Sequence, residues 1–323
     1  MILAGDIGGT KTLLASCEPA APRPLVVHRE SYASREAAGL AELVRRFRGK
    51  HPGAIEAACF GIAGPIQGGR SETPNLPWVV EAGELARLLG LPQVSLINDL
   101  EATAYGIAAL DEGELVTLNP EGEARPGNAA VIAAGTGLGE AVLYWDGQRH
   151  QPFATESGHA DFAPRTCREM ELLRFLGKEF PRVSYERVIS GPGLFRTYRF
   201  LRAWRGDAEP AWLTAELQEG DPSAVVTEVA LARRDVVCED ALRMFVACYG
   251  AEAGNLALRC MAVGGVYLGG GIAPKILPAL REAGFMAAFT AKGRFTDFLR
   301  RVPVRVICNE ETALLGAARR ASL

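Results

Sequence analysis

Twice along the chain an apolar run ends abruptly in glycines and then turns back into a second strand-like stretch, and this pattern constrains the fold more than any other feature. Met1–Ala4 leads into Gly5-Asp6-Ile7-Gly8-Gly9-Thr10-Lys11, and Ala129–Ala134 leads into Gly135-Thr136-Gly137-Leu138-Gly139. In each case a second strand-like stretch follows, Lys11–Cys17 and Glu140–Tyr144. Glycines after a strand let the backbone turn sharply and bring N–H groups close to an anion. Beyond each block the pattern changes to helix and strand in alternation. In the first half there is helical spacing at Leu40, Leu43, Val44 and Phe47, a buried strand over Ile55–Ile62 and a helix over Leu85–Leu89. A strand over Val94–Ile97 and a helix over Glu101–Leu110 follow. The second half reads as mostly helical from Cys167 to about Gly250. Strands over Val263–Leu268 and Val304–Cys308 and a helix over Glu311–Arg320 then follow. Such a chain predicts two α/β halves around a cleft, with the boundary in the Gly-, Pro- and Glu-rich stretch Asp111–Gly127.

The bulk numbers narrow the chemistry. A chain of 323 residues accommodates two domains, and 48% hydrophobic with 23% charged residues is ordinary for a globular protein. With 35 basic and 38 acidic residues the net charge is -3, which offers no field for nucleic acid or an anionic membrane. Phosphate chemistry must then rely on local groups. The longest apolar stretch, Ala262–Ala273, is broken by glycines and followed by Pro274, so no bilayer span is expected. The N-terminus has no basic segment followed by an apolar one and a cleavage site. Seven widely spaced cysteines, Cys17, Cys59, Cys167, Cys238, Cys248, Cys260 and Cys308, form no CxxC pair. They read as buried free thiols of a cytoplasmic protein.

Each motif has a functional and a plain reading. Gly5–Lys11 is a phosphate turn or an ordinary Gly-rich hairpin; it is not a Walker A loop, because Thr10 stands where that motif needs its second glycine. A carboxylate such as Asp6 beside phosphates makes sense only with a bridging cation, which implies Mg²⁺. Gly135–Gly139 fails the GxGxxG dinucleotide pattern at Glu140 and fits a second phosphate turn better. Gly269-Gly270-Gly271 permits either close approach of a flat ligand or tight strand–helix packing. Asn98-Asp99 ends an apolar strand, where an Asp can take a hydroxyl proton or the pair can cap a helix. Glu156 and His159 suit a polyol by donating to and accepting from hydroxyls, although a lone His is often structural. Zinc lacks the ligand spacing it would need there. Glu186 is a further hydroxyl ligand, or a solvated Glu paired with Arg187.

In order, these motifs resemble the bacterial glucokinase family of the actin/hexokinase/Hsp70 superfamily. The resemblance runs from Gly5 to about Gly316 and includes Asn75-Leu76-Pro77-Trp78, Ile189-Ser190-Gly191-Pro192-Gly193 and Gly254-Asn255-Leu256-Ala257-Leu258. It implies an α/β, two-domain actin-like ATPase (ribonuclease H-like) fold with an interdomain cleft. The expected domains are a small one of residues 1–110 plus 301–323 and a large one of 111–300. It implies ATP-dependent phosphorylation of D-glucose to glucose 6-phosphate, the entry to glycolysis, with Mg²⁺. By position, Gly5, Asp6, Gly8, Gly9 and Thr10 match the first phosphate loop, Gly135, Thr136 and Gly137 the second, and Gly270 and Gly271 the adenosine motif. Asn98, Asp99, Glu156, His159 and Glu186 match the sugar ligands and Asp99 the catalytic base; Asp6 holds Mg²⁺, directly or through water. A homodimer is expected, with no nucleic-acid or membrane partner. Three residues depart from the family pattern: Lys11 follows Thr10, Ser157 replaces a glycine, and Glu140 stands where a small or apolar residue is usual.

Three alternatives remain open at this point. A ROK-group kinase for another hexose typically carries a CxCGxxGCxE zinc motif that this sequence lacks. A sugar-sensing regulator usually places a helix-turn-helix ahead of the first loop, where four residues precede Gly5. A sugar-independent ATPase leaves Asn98, Asp99, Glu156 and His159 without a role.

Overall fold

The structure, a computed structural model, describes residues 1–73 and 76–323. Asn75, one of the residues carrying the resemblance, lies outside the described residues. Contacts divide the chain into two units. The first comprises Met1–Leu115, His150–Ala154 and Asn309–Leu323, and the second Val116–Arg149 and Thr155–Cys308.

The strands of the first unit are β1 (Ile2–Ile7), β2 (Lys11–Glu18), β3 (Leu25–Ala33), β4 (Ala57–Ile62), β5 (Arg70–Glu72), β6 (Val79–Glu81) and β7 (Ser95–Asn98). Five of them form a sheet of order β3-β2-β1-β4-β7. β1 is antiparallel to β2 and parallel to β4, and β4 is parallel to β7. Apolar side chains bury both faces of β1: Leu3 and Ile7 pack with Leu14, Phe47 and Phe60 on one side. Ile2 and Ala4 pack with Ile97, Ala102, Leu314 and Ala317 on the other. That two-sided burial explains why the run reads as continuously apolar. The helices are α1 (Leu40–Lys50), α2 (Ala82–Leu89) and α3 (Asp99–Ile107). α3 starts at Asp99, two residues before the expected start.

The other main sheet comprises β8 (Leu115–Thr117), β9 (Ala129–Ala134), β10 (Leu138–Trp145), β11 (His150–Thr155), β12 (Gly265–Gly269) and β13 (Val304–Ile307), in the order β11-β10-β9-β12-β13-β8. β9, β10, β12 and β13 lie wholly in the second unit, whereas Leu115 and His150–Ala154 are counted with the first. β9 is antiparallel to β10 and parallel to β12, which is parallel to β13. β8 falls in the stretch expected to hold the boundary, at the start of the second unit. The helices of this unit are α4 (Cys167–Leu176), α5 (Gly191–Arg205), α6 (Ala211–Glu219), α7 (Pro222–Leu231), α8 (Val236–Cys260), α9 (Ile272–Lys275), α10 (Leu277–Arg281), α11 (Ala283–Thr290) and α12 (Thr296–Arg301). Tyr249 and Phe245 of α8 pack with Phe285 and Phe289 of α11 in the core of this unit.

The last helix, α13 (Thr312–Ala321), belongs to the first unit and lies along α3. The two approach closely because each supplies a glycine. A Cβ on Gly316 would stand 1.7 Å from the Ala102 carbonyl oxygen, and one on Gly106 would stand 2.0 Å from that of Thr312.

The thiols differ in burial, with Cys260 intermediate. Cys17, Cys59, Cys238 and Cys248 are buried as expected, whereas Cys167 and Cys308 are exposed, against the expectation of buried thiols. Burial pushes Cys17 up to about 11 and Cys59 up to about 12, so these thiols stay protonated. Among the described residues, no helix is long and apolar enough to cross a membrane.

Candidate active site

In the first unit the chemistry gathers at the carboxyl ends of parallel strands. The register aligns Ile7, Ile62 and Asn98 at the ends of β1, β4 and β7, the place where open α/β sheets bind ligands. Asp6 sits at the end of β1, one residue before its last, paired with Leu13 across the hairpin. Its half-buried carboxyl is pushed up to about 7, first by burial and then by the Asp99 carboxylate, with Lys11 opposing. A carboxyl raised by a second carboxylate close by forms with it the kind of oxygen pair that suits a hard divalent cation.

The glycines of the first loop do different jobs. Gly5 is buried mid-strand, where a Cβ would come within 2.5 Å of the Phe60 ring, so its role there is packing. The turn itself is Gly8-Gly9-Thr10, with the Gly8 N–H donating to Lys11 O at 3.0 Å. Ser34 braces it: the hydroxyl donates to Gly8 O at 2.8 Å and the N–H to Thr10 O at 2.9 Å. The buried Thr12 hydroxyl lies 2.9 Å from that of Ser34. Sequence reasoning passed over Ser34, and no local signal marks it.

Asn98 and Asp99 form the junction of β7 and α3. Asn98 is the N-cap, accepting the Leu100 N–H at 2.9 Å, and its amide donates to Gly64 O at 3.2 Å. The capping reading is therefore realised, and the same residue also ties α3 to the turn after β4. Asp99 is half-buried in the first turn of α3, where the helix field favours a carboxylate. Its Oδ1 accepts the Leu100 N–H at 2.9 Å.

In the second unit, β9 and β10 meet at Gly135-Thr136-Gly137. The Gly135 N–H donates to Gly137 O at 2.9 Å, and Gly135 O accepts the Gly191 N–H at 2.8 Å. Glu186 holds the far side of the loop: its Oε2 accepts the Leu138 N–H at 3.1 Å. A Cβ on Gly137 would stand 2.6 Å from that oxygen. Glu186 is thus not a solvated partner of Arg187, whose guanidinium instead stacks 4.2 Å from the centroid of Phe180.

Gly270 takes a φ of +79° and lies against Ala134, where a Cβ would be 2.3 Å from the carbonyl oxygen. Gly271 has open space at its Cα. It lines a cavity of ≈ 530 Å³ with Gly135, Thr136, Gly191, Pro192, Phe195, Asp221, Pro222, Ser223, Ile272 and Lys275. The size is that of a small-molecule site. Glycine backbone forms one part of the wall, and Pro192, Phe195 and Ile272 offer apolar surface to a flat ring. Asp221 is held below the usual carboxylate range by the Ser223 hydroxyl and the Ala224 N–H, with Lys275 adding to the effect against burial. Phe195, Asp221, Ser223 and Lys275 were missed from sequence. They arrive from α5, α7 and α9; Phe195, two residues past Gly193, and Lys275, four residues past Gly271, lie close to recognised motifs, whereas Asp221 and Ser223 do not.

Glu156 and His159 flank a tight turn, their side chains exposed and 3.9 Å apart. Gly158 between them is obligatory, since a Cβ would come within 2.0 Å of Leu138 O. The Thr155 hydroxyl donates to Glu140 O at 2.9 Å and lies 2.8 Å from the Ser157 hydroxyl, giving this departure from the family pattern a partner. The Tyr185 N–H donates to Ala160 O at 2.9 Å. The unit therefore brings together the Glu156/His159 turn, the Glu186 turn and the second glycine loop. Among the described residues, no cluster of His, Cys, Asp or Glu has a metal-binding arrangement.

The family model described as Glucokinase matches residues 3–323. A curated glucokinase of Nostoc sp. is 41% identical over 334 residues, covering 98% of each chain. That of Synechocystis sp. is 40% identical over 341 residues, 98% of this chain and 96% of its own. Among solved structures, a glucokinase from an Antarctic psychrotroph superposes with a TM-score of 0.88 at 31% identity, covering 99% of this chain and 98% of that one. A ROK family glucokinase from Streptomyces griseus, solved with glucose and AMPPNP, has a TM-score of 0.65 at 21% identity over 99% of this chain and 98% of its own. That last likeness bears on the fold alone.

Proposed function

The chain belongs to the glucokinase family, and within that activity, the ATP-dependent phosphorylation of D-glucose to glucose 6-phosphate, we propose that Asp99 is the general base. The observation that carries the assignment is the position of Asp99, on the first turn of α3 at the carboxyl ends of parallel strands and electrostatically coupled to Asp6. Asp99 takes the proton of the sugar 6-hydroxyl as that oxygen attacks the γ-phosphorus in line with the leaving ADP. Asn98 orients a neighbouring hydroxyl. Glu156, His159 and Glu186 hold further hydroxyls, so that the 6-hydroxyl is delivered in a reactive pose.

Backbone N–H groups of Gly8, Gly9 and Thr10, and of Gly135, Thr136 and Gly137, take the phosphates; Gly270 and Gly271 face the adenosine. The wall of Pro192, Phe195 and Ile272 supports an adenine site in the cavity of the second unit. Asp6 would hold Mg²⁺, directly or through water, and the ion would offset phosphate charge. Gly5 supports its loop by packing on Phe60.

The functional domains are proposed as 1–110 with 301–323, and 111–300; the return of a C-terminal segment to the first unit supports this interleaving. We place the reaction at the entry of glycolysis in the cytoplasm, a reading the free thiols support. The homodimer rests on the family resemblance, and light scattering on a sizing column tests it.

The deciding assay is ADP release from Mg·ATP with glucose, mannose, fructose, N-acetylglucosamine, N-acetylmannosamine or no sugar. Stimulation by glucose above all others is the expected result. Stimulation by another hexose moves the substrate, and sugar-independent turnover overturns the assignment of Asp99.

A further inference from the structure

Glu140 follows the second glycine loop directly and plays no part in the mechanism above. It is fully buried, pairs with Ile132 across the hairpin, and no donor among the described residues reaches either of its carboxylate oxygens. The groups facing it come mainly from α8. Glu252, also fully buried, accepts Arg259 Nη1 on Oε1 at 2.6 Å and Asn255 Nδ2 on Oε2 at 2.8 Å. The same Arg259 nitrogen is 3.7 Å from Glu140 Oε2, so one guanidinium serves two carboxyls and favours Glu252. Tyr249 and Cys260 of α8 also feel the charge of Glu140. Tyr185 lies on the Glu252 side, its hydroxyl 3.1 Å from Asn255 Nδ2. Lys292 reaches Glu252 through Asn255, donating to the Asn255 Oδ1 at 2.5 Å.

A buried carboxylate without a donor is strongly disfavoured as an anion, whereas the neutral acid can donate its proton to a neighbouring carboxylate. We infer that Glu140 is a positioning residue for the Gly135–Gly139 loop, acting through a proton it shares with Glu252 beside Arg259. The inference rests on the reading of that loop as the holder of ATP phosphates. The Ile132/Glu140 pair is the rung that fixes the loop. Ile132 O accepts the Tyr249 hydroxyl at 3.1 Å, Glu140 O accepts the Thr155 hydroxyl at 2.9 Å, and the Glu140 side chain is seated on α8. Two residues away, Leu138 N–H is held by Glu186. Loss of the proton sets two carboxylates against each other, and the displacement passes along β10 to Leu138, the loop and Glu186.

Burial, then Glu252, push the Glu140 carboxyl up to about 8, with Arg259 opposing. The test measures Mg·ADP affinity by calorimetry, alongside ADP formation with glucose, from about pH 7 to about pH 9.5, for the wild type, Glu140→Gln and Glu252→Gln. The wild type should lose affinity severalfold, approaching about tenfold one unit above the transition. Glu140→Gln should hold its affinity across the same interval, because the amide donates without titrating. Glu252→Gln should do the same, because Arg259 then serves Glu140 alone; it carries the test if Glu140→Gln fails to fold. Wild-type affinity that does not vary with pH, or variants that keep the alkaline loss, overturn the inference. Absence of glucose-dependent ADP formation with the binding behaviour intact removes the kinase reading and leaves the role of Glu140 standing.

Discussion

Asp99 and Gly137 show how much one atom decides. Asp99→Asn keeps the shape of the strand end and removes the base. Its kcat should fall by about 10²–10⁴-fold, while glucose affinity, read by calorimetry, stays near that of the parent; a kcat within a factor of about two would falsify the assignment. Gly137→Ala places a methyl 2.6 Å from Glu186 Oε2 and must push that carboxylate off the Leu138 N–H. Its KM for glucose should rise by about tenfold or more, in a steady-state titration of glucose at saturating ATP. An unchanged KM would remove Glu186 from the sugar ligands. The sequence singled out both residues, yet it did not distinguish the duties of neighbouring glycines. Gly5 packs on Phe60, Gly137 makes way for Glu186, Gly135 faces a cavity and Gly270 meets Ala134 O. A glycine is needed for what stands opposite it, and that neighbour is 49 to 136 residues away in three of the four cases.

At the scale of elements, strands and their turns were legible because burial on both faces writes a continuous apolar run and glycine ends it. β1, β2, β9, β10 and β12 appear close to where the apolar runs place them. The cavity wall was not legible: α5, α7 and α9 meet there through tertiary packing, and Asp221 and Ser223 carry no local mark. The α3/α13 contact is equally silent in sequence and sharply specified in space. Gly316→Ala forces a Cβ to 1.7 Å from Ala102 O, so the helices must separate. The loss should be about 1–3 kcal/mol, typical of overpacking, in urea unfolding. Gly49→Ala, on the exposed side of α1 with nothing within 4 Å, is the control and should gain up to about 1 kcal/mol. Equal effects from the two would show that the helix contact is not specific.

For the whole molecule, the protonated Glu140 makes stability depend on pH in an unusual direction. Its folded-state value of about 8 stands above the ordinary 4.5, so over that interval the folded chain binds a proton that the unfolded chain has released. Stability from this group is full below the ordinary value, falls as pH rises through the interval and levels off above it. Glu140→Gln should therefore gain stability over the parent as pH rises from about 5 to about 8.5, read as a widening difference in Tm. A difference that stays constant would mean that Glu140 ionises inside the fold without penalty.

The two main sheets share a strand order: a three-strand meander whose first strand continues into two parallel neighbours, β3-β2-β1-β4-β7 and β11-β10-β9-β12-β13. In both, the glycine turn falls at the same joint, between the first and second strands of the meander. The two joints differ in what stands beside the turn. The first turn spans Gly8-Gly9-Thr10 and keeps an acid two residues ahead in Asp6, while the second spans Gly135-Thr136-Gly137 and has Ala133 in the matching place. The same backbone joint therefore presents two different surroundings: one turn with a carboxylate at hand to share a cation, the other with peptide N–H groups beside an apolar strand end.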